Sequence, residues 1–205
     1  ISLELYLKKL IIGGINKVFE LSKNFRNEGM DKDHNPEFTM LEFYQAYADV
    51  YDMMDLTENI ISNVAKAIDK KVFQFSNHTI DISQTFIRKS MFDLLNEFSG
   101  EKVDSMNTSD LFQLGKAKNI NVEKNMNYGQ LLDAIFSTLV EPKLIQPTFV
   151  TDYPKAISPL AKVSRDGNSE IVERFELFIG GMEFANSFTE LNDPIEQRNR
   201  FEAQS

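Results

Sequence analysis

The chain has 205 residues, 42% of them hydrophobic and 17 of them Phe, enough for a sizeable core in one large domain or a piece of a larger protein. It contains no Cys, which excludes disulfides and thiolate metal sites and suits a cytoplasmic location. Its formal charge of −9 is the wrong sign for a domain that mainly grips nucleic acid, so such contacts would need local Lys and Arg patches or other parts of a longer protein.

The opening ISLELYLKKL mixes acid and base among apolar positions and does not resemble a signal peptide. No apolar run reaches the roughly 18 residues of a membrane span. Ser2 is a plausible N-cap, Leu3, Leu5, Tyr6, Leu7 and Leu10 cover much of a helix, and Gly13-Gly14 ends it. Glu4 lies in its first turn, where an acid complements the helix dipole by under about 1 kcal/mol. The chain starts without Met, and PIEQRNRFEAQS stops inside a helical pattern, so the sequence reads as an excerpt.

Val18 to Phe25 reads as a strand running into Arg26-Asn27-Glu28, Gly29 to Pro36 as a polar loop, and Glu37 onward as a second strand. Side chains repeat every two residues, so Phe38, Met40, Glu42 and Tyr44 share a face, as do Arg26 and Glu28. The hairpin could gather a guanidinium, carboxylates, the His34 imidazole and an aromatic ring on one surface. Arg suits phosphate or carboxylate, Phe38 a base, and Glu42 an ammonium group. The same residues could equally be a solvated hairpin with cross-strand ion pairs.

Met53, Leu56, Ile60, Ile61, Val64, Ala65 and Ile68 recur at helical spacing after Ala46–Asp49. Val72 to Phe75, a turn at Ser76-Asn77-His78 and Thr79 to Ile82 predict a small hairpin, with His78 on the surface. Ser90 to Phe98 reads as a helix closed by Gly100, and Thr108 or Ser109 caps another through about Lys118. Asn127 or Tyr128 begins a third, with Leu131, Leu132, Ile135, Phe136, Leu139 and Val140 as its stripe. Residues 83–143 carry no chemical constellation. LIQPTFVTDYPKAISPLAK then brings a β-rich run at Thr148–Thr151, and Arg165-Asp166-Gly167-Asn168 is a turn.

Val172 to Ile179, Gly180-Gly181 and Met182 to Phe188 predict a second hairpin. A two-residue loop places Phe178 opposite Glu183 and Glu176 opposite Ala185, with Glu176 and Glu183 diagonal on one face. Two such carboxylates repel unless a cation sits between them. A hard divalent ion such as Mg²⁺ is one answer; pairing with Arg174 or a distant Lys is the other. Strict alternation puts Asn186 and Glu190 on the opposite face, so a shared pocket requires a bulge or bend between Glu183 and Asn186.

Arg26-Asn27-Glu28 followed by HNPEFTMLE at His34–Glu42 resembles motif 2 of the class II aminoacyl-tRNA synthetases, in wording closest to the lysyl-tRNA synthetases. ERFELFIGGMEFANSFTELND is similar to that family's segment ahead of motif 3. The resemblance implies an α+β fold, an antiparallel sheet flanked by helices, with a helical insertion. It divides the chain into a motif 2 region (1–82), the insertion (83–143) and an amino-acid and metal region (144–205). It implies ATP-dependent activation of lysine and transfer to tRNA(Lys) by a cytoplasmic homodimer. Arg26 would be catalytic, clamping the α-phosphate. Glu28, Asn35, His34 and Phe38 would join Arg26 in binding ATP. Glu4, Glu42, Tyr44, Asn186 and Glu190 would bind lysine, and Glu176 and Glu183 would hold Mg²⁺. An anticodon-binding domain, motif 1 and motif 3 are missing from the stretch, so the excerpt alone is expected to be inactive. A paralogue that modifies elongation factor P and a non-catalytic ligand-binding relic are the alternatives. Arg26, Glu176 and Glu183 together argue against the relic.

Overall fold

The computed structural model describes residues 2–27, 29–30 and 34–202. The chain divides into two compact units, residues 1–48 and 49–205.

The first unit holds helix α1 (Glu4–Ile12) and an antiparallel pair, β1 (Lys17–Phe25) and β2 (Glu37–Gln45). Leu3 rather than Ser2 occupies the N-cap position of α1, although Ser2 Oγ still accepts the Glu4 N–H at 3.0 Å. Gly13 and Gly14 end the helix as expected, Gly14 turning the chain at φ 99°. Of the apolar residues read as the helix's covered stripe, Leu7 is buried, while Leu5, Tyr6 and Leu10 are exposed. The ribbon's register pairs Val18 with Tyr44, Glu20 with Glu42, Ser22 with Met40 and Asn24 with Phe38. Phe38, Met40, Glu42 and Tyr44 therefore do share a face, and it is the more sheltered one, with Asn24 buried. The opposite face carries Phe19, Leu21, Phe25 and Leu41, all exposed.

The second unit begins with α2 (Val50–Ala67), whose N-terminus Asp49 and Asp52 close reciprocally as a capping box. Its buried side is Val50, Met53, Met54, Thr57 and Ala65. Val64 and Ile68, which extend the sequence's apolar stripe, are exposed. The small hairpin forms as β3 (Val72–Phe75) and β4 (His78–Asp81), with His78 exposed. Next comes β5 (Ile87–Ser90), a strand the sequence reading did not include, and α3 (Met91–Ser99), capped by Ser90 and closed by left-handed Gly100. Asn107, not Thr108 or Ser109, caps α4 (Thr108–Ala117), with Asp110 reaching back. Asn127 caps α5 (Tyr128–Leu139) with Gln130 in the same arrangement.

A four-stranded sheet in the order β5, β6 (Thr148–Pro154), β7 (Ile171–Ile179), β8 (Met182–Phe188) forms the floor. The β5–β6 pair is parallel and the rest antiparallel, so the sheet is mixed. The class remains α+β. No described helix is long and apolar enough to cross a membrane.

The core lies between this sheet and α3, α4 and α5. Phe136 of α5 sits edge-on to Phe178 at 5.9 Å and Tyr153 at 6.5 Å, a geometry that suits aromatic quadrupoles. By strand parity the other face of the sheet carries Phe149 and Phe175, edge-on at 5.0 Å. Helix α2 packs on β7 and β8. Its N-terminus is tied down electrostatically. Glu173, only 4% exposed, accepts Arg165 Nε at 2.6 Å and Nη2 at 2.9 Å. Nη2 of Arg165 also reaches Asp49 at 2.9 Å. The guanidinium holds the Glu173 carboxyl below the usual carboxylate range. Helix α6 (Pro194–Glu202) closes the unit, and its Arg200 donates to the Ala161 carbonyl at 2.8 Å.

Candidate active site

In the first unit the expected residues form two groups. Glu42 accepts hydrogen bonds from Ser2 Oγ at 3.1 Å, the Leu3 N–H at 3.3 Å and Tyr44 Oη at 2.7 Å. It thereby satisfies the N-terminus of α1, where a carboxylate also opposes the helix dipole favourably. Lys8, one turn along, places its ammonium 2.6 Å from Glu4 and 5.6 Å from the centre of the Tyr44 ring. A primary ammonium thus already sits between a carboxylate and an aromatic face. Glu4, Glu42 and Tyr44, three of the residues expected to bind lysine, belong to one cluster, and Lys8 is a member the sequence reading missed. Its i, i+4 spacing from Glu4 was the available signal.

Arg26 and Phe38 form the second group. The Arg26 N–H extends the ladder to the Pro36 carbonyl at 3.0 Å. Its guanidinium lies 5.2 Å from the centre of the Phe38 ring. One face of the ring expected to stack on adenine is thus covered by the residue expected to hold phosphate. His34 and Asn35 are exposed in the loop ahead of β2. Glu28 lies outside the described residues.

In the second unit the decisive feature is the β7–β8 register. Phe178 faces Glu183 as predicted, but Glu176 faces Asn186, not Ala185. The register slips between Leu177 and Phe178, leaving Phe184 as an extra residue on β8. Strand parity is reset at that point. Glu176, Phe178, Glu183 and Asn186 then project to one side, as a shared pocket requires. The turn closing the hairpin has Gly180 and Gly181 at φ 65° and 76°, both in the region that favours glycine.

Glu176 is densely bound. Its Oε2 accepts the Tyr153 hydroxyl at 2.7 Å. Its Oε1 accepts Asn186 Nδ2 at 3.1 Å and also Arg174 Nη2. The Arg174 pairing weighed at the sequence level therefore forms. Burial, followed by the Glu176 charge, holds the Tyr153 phenol well above its ordinary range. Glu141, just past α5, is pushed up to about 7, first by burial and then by the charges of Glu176, Asp133 and Glu183. Arg174 at i−2 from Glu176 was legible from parity; Tyr153 and Glu141 were not, because their approach depends on tertiary packing. Glu190 lies beyond β8, exposed, in a single bridge to Ala161.

Among the described residues, no three His, Cys, Asp or Glu side chains are gathered as a complete metal site. Two carboxylates on one face suit Mg²⁺, which takes one or two from protein and the rest from water or phosphate. Glu176 and Glu183, the two expected to hold it, share a face by register, with Glu176 already bound to Arg174, Asn186 and Tyr153.

The family model for class II tRNA synthetases (D, K and N) matches residues 1–205. The chain belongs to that family. Among individual members, it is 48% identical to the lysine–tRNA ligase of Christiangramia forsetii over 98% of this chain and 35% of that protein. It is 48% identical to that of Shewanella loihica, over 98% of this chain and 42% of the relative. It is 47% identical to that of Moorella thermoacetica, over 100% of this chain and 42% of the relative. This class II synthetase chain therefore spans between 35% and 42% of the length of these relatives.

Proposed function

We propose that the protein containing this chain activates lysine with ATP and passes the lysyl group to tRNA(Lys), working as a cytoplasmic homodimer. The observation that carries the reading is the bulge at Phe184, which turns Asn186 to the side that Glu176 and Glu183 share. A regular hairpin would leave Asn186 on the face opposite the two glutamates. The names of the relatives, lysine–tRNA ligase, support the same substrate.

The first step joins the lysine carboxylate to the α-phosphorus of ATP and releases pyrophosphate. It depends on positioning and charge stabilisation more than on proton transfer. Arg26 would hold the α-phosphate, where negative charge builds. Phe38 would stack on adenine, with His34, Asn35 and Glu28 fixing the remaining nucleotide. Glu4 would take the α-amino group, as it takes the Lys8 ammonium in this structure. Asn186 would donate to the lysine carboxylate. Glu42, Tyr44 and Glu190 would select the side-chain ammonium, since a long cation needs negative charge at its far end. Glu176 and Glu183 would hold Mg²⁺, which neutralises phosphate charge.

The test is ATP–pyrophosphate exchange by the full-length protein, offered each amino acid in turn. Exchange dependent on lysine is expected; exchange driven by a different amino acid, or by none, refutes the reading.

A further inference from the structure

We propose that Arg174 is a positioning residue that fixes which end of the Asn186 amide faces the substrate, and so sets selectivity for the amino acid's carboxylate. The inference rests on the lysine-activating reading and adds to it a residue with no assigned role.

Arg174 is a fork with every edge engaged. Its Nη1 donates to the Ile157 carbonyl at 3.1 Å and to Ser158 Oγ at 2.9 Å. Its Nη2 donates to Glu176 Oε1, and its Nε donates to Asn186 Oδ1 at 3.3 Å. The guanidinium also lies 4.7 Å from the centre of the Tyr153 ring. The side chain is 18% exposed, so it is held by these partners rather than by water.

The consequence falls on Asn186. Its Oδ1 meets a donor, Arg174 Nε, while its Nδ2 donates to an acceptor, Glu176 Oε1, at 3.1 Å. Turning the amide over would set N–H against N–H and oxygen against carboxylate, two repulsions in place of two bonds. The amide is therefore locked. Nδ2 carries two hydrogens, and one is used by Glu176. The second has no partner among the described residues, and Asn186 is exposed. What Asn186 offers outward is a donor, which suits a carboxylate and rejects an ammonium group. Arg174 also offsets the Glu176 charge, so an incoming carboxylate is not repelled by its neighbour. A Lys could supply the charge but not the planar set of donors.

The experiment uses the full-length protein and compares lysine with cadaverine, the diamine that lacks only the carboxylate. In Arg174→Lys, the KM for lysine in pyrophosphate exchange should rise about tenfold or more, the scale of one hydrogen bond to a charged group. The inhibition constant of cadaverine should stay within about twofold, since its ammonium groups never meet Asn186. Ser158→Ala removes only one acceptor of Nη1 and should raise the lysine KM in the same direction by a smaller factor; it also serves if Arg174→Lys fails to fold. Equal weakening of lysine and cadaverine, or no change in either, overturns the inference while wild-type lysine-dependent exchange stands. Absence of that exchange in the wild-type protein instead overturns the functional reading on which the inference rests.

Discussion

Replacing Tyr153 by Phe isolates one hydrogen bond beneath the acidic side of the β7–β8 ribbon. The ring is 3% exposed, and Phe preserves its packing against Phe136. The loss is the hydroxyl's 2.7 Å bond to Glu176. A hydrogen bond to a charged group contributes about 1.5–3 kcal/mol. Glu176 keeps Arg174 and Asn186, and its side chain is 13% exposed, so water replaces part of the loss. The net destabilisation should be about 1–2 kcal/mol, or about 2–8 °C in Tm for a chain of this size. The pH dependence follows from the raised phenol. A group that holds its proton more tightly when folded contributes stability below its unfolded pKa, and loses it as pH rises through the folded one. Wild type should therefore lose stability above pH 10, the ordinary tyrosine value, and Tyr153→Phe should lack this residue's share. Thermal unfolding of both chains, at neutral pH and in the alkaline range, measures the two effects. Equal Tm at neutral pH together with equal alkaline slopes would show that the Tyr153–Glu176 bond contributes nothing.

Glu141, raised to about 7, should favour the fold at low pH and lose that contribution as pH climbs from about 4.5 to beyond 7. It is half-buried, so solvent screening reduces the effect to about 1–2 kcal/mol; denaturant titrations of wild type and Glu141→Gln at both ends of that window should differ in slope. Arg26→Ala should slow adenylate formation about tenfold or more, and unchanged pyrophosphate exchange in the full-length protein would remove its phosphate role. Glu190→Gln should raise the KM for lysine far more than that for ATP; equal losses would argue against an ammonium partner.

Much of the fold was legible because local chemistry agrees with tertiary structure. The positive-φ Gly180–Gly181 turn, the helix starts near Ser90 and at Asn127 or Tyr128, and the stripe from Leu131 to Val140 each need only a few neighbouring residues. β5 was not legible. Its IRKS sequence is short and mostly polar, with three of its four residues exposed, and only pairing with β6 makes it a strand. The site shows the same division. Tyr44 with Glu42, and Arg174 with Glu176, follow from two-residue parity on one strand. Ser2 with Glu42, Tyr153 with Glu176, and the Glu141 environment join elements far apart in sequence, which no periodicity records. The bulge lies between these cases: parity required one, but the residue that supplies it, Phe184, emerged only from the register.

That single supernumerary phenylalanine makes the ribbon unusually sensitive to length. Trimming one amino acid from β8 would leave composition, charge and hydrophobicity almost intact while exchanging inside for outside along the rest of the strand. Insertions and deletions in this short stretch should therefore be far more damaging than conservative replacements. A redesign that regularised the hairpin for stability would return Asn186 to the face opposite Glu176.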